Sequence, residues 1–167
     1  VYEWLWQKHA HSFAEMTNLS KELRQTLGEN FTLPALTINA TQYSADGTVK
    51  SSFKTHDGHL VEGVLIPTEK RATACVSSQI GCSLSCKFCA TGYIEKKRNL
   101  TFDEIYDEVV LINQQCERIY GHKLTNIVFM GMGEPLLNYK NVLKAIERIT
   151  SSDGLGMSPR RITVSTA

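Results

Sequence analysis

The chain reads as an α/β protein, with a helical segment first, then a small β-meander, then strands alternating with helices. Three observations predict this. Leu19, Leu23 and Leu27 recur every fourth residue. Two Asp-Gly pairs, Asp46-Gly47 and Asp57-Gly58, punctuate extended segments. From Arg71 onward, short apolar strands alternate with amphipathic stretches of helical period, the pattern of βα units on a parallel sheet.

Taken in order, residues 1–30 are expected to be helical, with Thr17 or Asn18 as an N-cap and Trp4 and Trp6 packed on the leucine stripe. Such a small unit, starting uncapped at Val1, reads as the remnant of a larger helical domain. Residues 35–66 form a meander of strands near 36–44, 48–55 and 59–66, joined by type I′ Asp-Gly turns and ended by Pro67 and a linker. Ala72 to Ser77 is a short buried strand. Thr101-Phe102-Asp103-Glu104 is a capping box, and its helix runs to about Tyr120 with Ile105, Val109, Ile112, Cys116 and Ile119 on one face before Gly121 stops it. Ile127 to Met130 is the next strand. Asn138 or Asn141 caps a second helix bearing Val142, Ile146 and Ile149, and Arg161 to Ser165 is a third strand. The units are 1–30, 31–70 and 71–167.

Composition narrows the class. Of 167 residues, 42% are hydrophobic and 21% charged, an ordinary globular balance, and a net charge of +1 excludes a uniformly basic protein. Five cysteines, three of them clustered, do not make a secreted disulfide framework. The N-terminus lacks a signal peptide's apolar core, and Val109 to Ile112 is far short of a membrane span. The expectation is a soluble protein of a reducing cytoplasm.

The chemistry centres on Gly81-Cys82-Ser83-Leu84-Ser85-Cys86-Lys87-Phe88-Cys89, a C-x3-C-x2-C run. Three thiolates on one loop hold three irons of a four-iron cluster and leave the fourth open for chemistry. The commoner role for buried cysteines, as small hydrophobes, fits poorly because Ser83, Ser85 and Lys87 make the loop polar. Zinc with Cys75 as fourth ligand remains an alternative, although zinc favours paired short spacings. Gly131-Met132-Gly133-Glu134-Pro135 follows the second strand at its C-terminal end, where parallel sheets bind ligands. Glycine there allows close backbone approach, and Glu134 can accept from an ammonium group. The bland alternative is an ordinary strand-to-helix loop.

The C-x3-C-x-(aromatic)-C loop after the first strand of a βα series resembles the radical S-adenosylmethionine superfamily. That resemblance implies that the chain is the first half of a partial (β/α) barrel, with a [4Fe-4S] cluster on Cys82, Cys86 and Cys89 and S-adenosyl-L-methionine on its open iron. Electron transfer then cleaves the sulfonium to a 5′-deoxyadenosyl radical. Glu62 to Pro67, Ala74 to Cys82 and Cys86 to Gly92 further resemble the RlmN family, as do Tyr2 to Trp6, Asn126 to Leu136 and Arg160 to Ala167.

The RlmN resemblance implies methylation of adenine carbon 2 in large-subunit ribosomal RNA and in transfer RNA. The methyl group passes through a methylated protein cysteine, which joins RNA to protein. A second cysteine then releases the product as a disulfide forms. It also implies roles: Cys75 as resolving cysteine, Glu62 as general base, and Gly133, Glu134 and Ser165 as S-adenosylmethionine contacts. Without it, Glu62 reads equally as a solvent-facing strand residue, Cys75 as a buried strand thiol and Ser165 as a plain strand-end serine. Phe88 would set an aromatic ring beside the open iron.

The methyl-carrying cysteine lies near the C-terminus in that family, and Cys116, on an apolar helix face, is best read as core. An eight-unit barrel takes about 250 residues, whereas Ala72 to Ala167 offers 96, room for about three units of the six the superfamily barrel needs. The expectation is a fragment, inactive alone, that needs an external electron donor. Lys70, Arg71, Lys87, Lys96, Lys97 and Arg98 form a local basic stretch suited to RNA phosphates, with Tyr93 able to stack on a base. Two alternatives stay open, namely the sister family methylating adenine carbon 8 and a non-catalytic metal-binding RNA module.

Overall fold

The computed structural model describes residues 1–33 and 36–167. Pro34 and Ala35, the second of which begins the expected meander, lie outside them. The N-terminal segment is helical in three pieces: helix α1 (Tyr2–Trp6), a 3₁₀ turn (Phe13–Glu15) and helix α2 (Lys21–Asn30). Neither Thr17 nor Asn18 caps α2. Ser20 does, its hydroxyl accepting from Leu23 N–H at 3.2 Å, while Asn18 accepts from the Trp4 indole at 2.5 Å. Trp4, Leu19 and Leu27 surround a small core of Ala10, Phe13 and Met16, but Leu23 is exposed. Trp6 leaves that cluster for the main core.

Strands β1 (Thr37–Tyr43), β2 (Val49–Lys54) and β3 (Leu60–Pro67) form the expected antiparallel meander. Gly47 and Gly58 both have φ +85°, whereas Asp46 and Asp57 keep negative φ. The turns are therefore not type I′. In the first, Gly47 N–H donates to Ser44 O at 3.0 Å and Ser44 N–H to Thr48 O at 2.9 Å, a type I turn closed by a left-handed glycine. Pro67 ends β3 as expected, pairing with Ala72 of the next strand, β4 (Ala72–Cys75), across the short linker 68–71.

That pairing joins the meander to the βα series in one six-stranded sheet, ordered β1-β2-β3-β4 followed by β7 (Asn126–Phe129) and β8 (Ile162–Val164). β3 meets β4 antiparallel, while β4-β7-β8 run parallel as the strand–helix alternation predicts. Between β4 and β7 the chain forms a two-stranded ribbon, β5 (Gln79–Ile80) with β6 (Arg98–Asn99), and then helix α3 (Phe102–Tyr120). The ribbon was not anticipated: two residues per strand give no periodicity to read.

The capping box of Thr101 and Glu104 starts α3, and Gly121 at φ +74° ends it. Ile105, Val109, Ile112 and Cys116 are fully buried, but Ile119, expected on the same face, is exposed. Tyr106 anchors the N-terminal segment: its hydroxyl donates to Trp6 O at 2.7 Å, and the Trp6 ring lies edge-on to it at 5.3 Å. Helix α4 (Tyr139–Thr150) buries Val142, Ala145 and Ile149. α3 and α4 cover one sheet face, carrying Val61, Leu65, Ala74, Val76, Ile127 and Phe129. Side chains alternate across a strand, so Val64, Cys75 and Val128 point to the other face, where Met130 is 58% exposed. No helix among the described residues is long and apolar enough to cross a membrane.

Candidate functional site

The uncovered face and the C-terminal ends of β4, β7 and β8 gather most of the expected residues. In register, Val64 of β3 stands beside Cys75 of β4, which stands beside Val128 of β7, which stands beside Thr163 of β8. Glu62, two residues before Val64, shares that face by parity, and Ser165 follows directly on the C-terminal end of β8. Glu62 is exposed and pairs with Lys50 at 2.8 Å, beside an open cavity of about 350 Å³ also lined by Ile80, Ile94 and Met132. Cys75 is half-buried, and all five cysteines of the chain are free. Burial pushes the Cys75 thiol up, against a hydrogen bond from the Met130 main chain. Little of it is thiolate at neutral pH.

The cysteine loop closes on its own backbone. Gly81 turns at φ +74°, and Cys82 N–H donates to Ile94 O at 3.2 Å. Cys89 N–H donates to Cys86 O at 3.1 Å and Gly92 N–H to Cys89 O at 3.0 Å. Gly92 packs so closely that a Cβ there would stand 2.7 Å from Cys86 O. Ser85, just before Cys86, takes a left-handed φ of +50°, which is sparse for a non-glycine residue. Main-chain bonds from Gly92 and Thr91 hold the Cys89 thiol below its ordinary pKa, as a ligand thiolate needs. Cys82, Cys86 and Cys89 are all half-buried. Phe88 is 92% exposed.

Three loop thiols with no imidazole or carboxylate form a soft donor set of the kind that suits an iron–sulfur cluster. Among the described residues, no three His, Cys, Asp or Glu side chains converge on a single metal ion.

The loop after β7 is stitched to the end of β4. Gly131 N–H donates to Val76 O at 3.0 Å, Met132 N–H to Ser77 Oγ at 2.8 Å and Glu134 N–H to Gln79 Oε1 at 2.9 Å. Glycine is required here for close approach, but to protein. A Cβ on Gly131 would lie 2.6 Å from Ser77 Oγ, and one on Gly133, at φ +90°, would lie 2.8 Å from Gln79 N. Glu134 is buried. Its Oε1 accepts from Leu136 N–H at 2.9 Å and its Oε2 from Ala167 N–H at 3.0 Å. Burial pushes this carboxyl up, but those bonds and the Thr166 side chain outweigh it and leave the pKa below the usual value.

Several positioning groups were not anticipated. Gln79 is fully buried and bridges Glu134 N–H to Asn99 of β6, to which it donates at 2.7 Å. Asn138 stands at the N-cap position of α4 as expected, but its side chain makes no capping bond and donates instead to Ser78 O at 2.7 Å and Leu100 O at 2.8 Å, fastening both strands of the ribbon at its open end. Arg98, read as a phosphate contact, is held by Asp57 at 2.7 and 3.0 Å and by Glu104 at 2.7 Å through two nitrogens. Lys97 pairs with Glu95 at 2.5 Å. The one signal in sequence is the polar Ser77-Ser78-Gln79 run at the end of a buried strand.

Residues 76–167 match the family described as the Radical SAM superfamily, and residues 1–33 match the Ribosomal RNA large subunit methyltransferase N-terminal domain. Over its whole length the chain is 62% identical to a Cytophaga hutchinsonii protein named "Probable dual-specificity RNA methyltransferase RlmN", covering 46% of that protein. It is 50% identical over its whole length to the Geobacter sulfurreducens "Dual-specificity RNA methyltransferase RlmN", covering 45%. The crystal structure of a radical SAM methyltransferase from Sphaerobacter thermophilus superposes with a TM-score of 0.88 at 40% identity, covering 99% of this chain and 48% of that one. The chain thus spans about half the length of the curated relatives it matches. With the superfamily match extending over more than half of its residues, and with RlmN-named homologues along all of it, the chain belongs to the radical SAM superfamily.

Proposed function

We propose that this chain supplies the cluster loop and half of the substrate site of an RNA methyltransferase acting on carbon 2 of adenine, in large-subunit ribosomal RNA and in transfer RNA, in the cytoplasm. The observation that carries this reading is the shared sheet face of Glu62 and Cys75, with Ser165 at the end of β8 and the three-thiol loop following on from β4. Cys82, Cys86 and Cys89 would hold a [4Fe-4S] cluster. Gly133, Glu134 and Ser165 would hold S-adenosyl-L-methionine, with the Glu134 carboxyl fixed by the main chain of Leu136 and Ala167. When bound and reduced by an external donor, the cluster supplies one electron for cleaving the sulfonium.

The other roles belong to this chain's own side chains. Glu62, exposed and paired with Lys50, takes the proton from the adenine ring. Cys75 attacks the sulfur of the methyl-carrying cysteine and so releases RNA, becoming half of a transient disulfide. Its raised pKa makes this step favour alkaline pH. Phe88 and Tyr93, 92% and 79% exposed, flank the loop where an extruded base would stack. Lys70, Arg71, Lys87 and Lys96 remain for RNA phosphates; Arg98 does not.

The intact protein, reconstituted anaerobically with iron and sulfide and supplied with S-adenosyl-L-methionine, a reductant and large-subunit RNA, tests this reading. The expected product carries a methyl group on adenine carbon 2. A methyl group on carbon 8, or colourless protein binding one zinc, refutes it.

A further inference from the structure

Helix α3 carries a carboxyl into the core with no cation beside it. Glu108 is completely buried. Both of its oxygens lie 3.2 Å from one donor, Ser77 N–H. Among the described residues no Lys, Arg or His forms an ion pair with it. Gly63 of β3 makes room for it: a Cβ there would stand 2.7 Å from Glu108 Oε1 and 2.8 Å from Ile112 Cδ1. Gly63 has no positive φ, so this space accounts for the glycine.

Ser77 is itself a junction. Its hydroxyl donates to Glu62 O at 2.6 Å and accepts from Met132 N–H at 2.8 Å. One buried carboxyl therefore fixes the main chain where β3, the end of β4 and the loop after β7 meet. Those three segments carry Glu62, Cys75 and Gly133-Glu134.

We propose that Glu108 is a positioning residue for the reaction, holding Ser77 so that Glu62, Cys75 and the 131–134 loop keep one fixed arrangement. The proposal rests on the roles given above to Glu62 and Cys75. A carboxylate with a single N–H partner in such a place is strongly disfavoured, so the group is held as the neutral acid. Burial drives its pKa far up, against the Ser77 N–H that lowers it. The groups packed against it from β3 and from the segment after β4 are Gly63 and Ser77, and the titratable neighbour is Cys75. A neutral Glu108 spares Cys75 a further negative charge.

The test uses Glu108→Gln and Glu108→Leu in the intact protein. Peptide-resolved mass spectrometry reads two quantities, Ser77 amide hydrogen exchange and the pH midpoint of Cys75 alkylation. Glu108→Gln keeps an acceptor and no charge, so both readings and RNA methylation stay at wild-type level. Glu108→Leu removes the acceptor, and Ser77 exchange rises at least about tenfold with loss of methylation. If Glu108→Leu does not fold, Ser77→Ala serves instead, raising Met132 exchange about tenfold while leaving Ser77 exchange unchanged. A fall in the Cys75 midpoint by about one unit in Glu108→Gln shows that a charge was removed and overturns the neutral acid. Wild-type exchange and methylation in Glu108→Leu overturn the positioning role. Expected exchange and alkylation in a protein that methylates no RNA support the junction and overturn the function reading alone.

Discussion

Replacing Arg98 with Met should destabilise the protein in a pH-dependent way whose sign follows from the structure. Arg98 makes four short bonds to carboxylates, two to Asp57 and two to Glu104. The partners differ in surroundings. The Glu104 side chain is 4% exposed, whereas Asp57 is 33% and Arg98 26% exposed. The exposed pair contributes about 0.5 kcal/mol. On the buried side, hydrogen bonds to a charged group contribute roughly 1.5–3 kcal/mol, and Thr101 N–H at 2.9 Å stays to share the load. The expected loss at pH 7 is about 2–3 kcal/mol, or roughly 4–12 °C in Tm for a chain of this size. Both carboxyls sit below their usual pKa in the folded state. Hydrogen bonding to Arg98 is the first cause for Asp57, and for Glu104 the same bond outweighs the burial that pushes it up. A depressed carboxyl contributes stability above its unfolded pKa and loses it as pH falls through the folded one. The gap between wild type and variant should therefore be full at pH 7 and narrow steadily below about pH 4. Urea unfolding followed by circular dichroism from pH 3 to pH 7 measures it. A gap that is constant with pH, or below about 0.5 kcal/mol at pH 7, refutes the clamp.

Other outcomes follow from the same geometry. Asn138→Ala leaves the Leu100 carbonyl without this donor and Ser78 O with the Leu100 N–H alone, which should cost about 1–3 kcal/mol in the same unfolding assay. Gly133→Ala forces a side chain into φ +90° and against Gln79, so Glu134 should shift and S-adenosyl-L-methionine affinity should fall at least about tenfold by calorimetry. Cys86→Ala should reduce iron in the reconstituted protein from about four per chain to near zero; retained iron refutes the ligand assignment. Phe88→Ser should change stability by less than about 0.5 kcal/mol, because the ring is 92% exposed, yet shorten the survival of the brown chromophore in air.

The parallel strands, both long helices and the capping box were legible because each is local: an apolar period, a capping pair and a stopping glycine suffice. The Asp-Gly turns were placed correctly but given the wrong backbone, since an aspartate before a left-handed glycine fits either a type I′ turn or a type I turn closed by that glycine. The cysteine loop was visible in its spacing. What escaped was the web behind it. Gln79, Asn138 and Glu108 act on groups 20 to 60 positions away, and no periodicity encodes such reach. Arg98 was misread for the same reason. Its partner Asp57 lies 41 residues back on a hairpin turn, and a run of lysines and arginines reads alike whether free or clamped.

The sheet order has a consequence for the shape of any complete site. β4 begins the parallel series, yet it has no free edge: β3 occupies one side and β7 the other. A final strand cannot return to β4 and seal a cylinder, because its hydrogen-bonding row is already taken. Further strands have a place only beyond β8, or around the far rim at β1. The wall is thus built with a permanent seam at its first stave, and Glu62, on the strand that blocks closure, stands beside that seam.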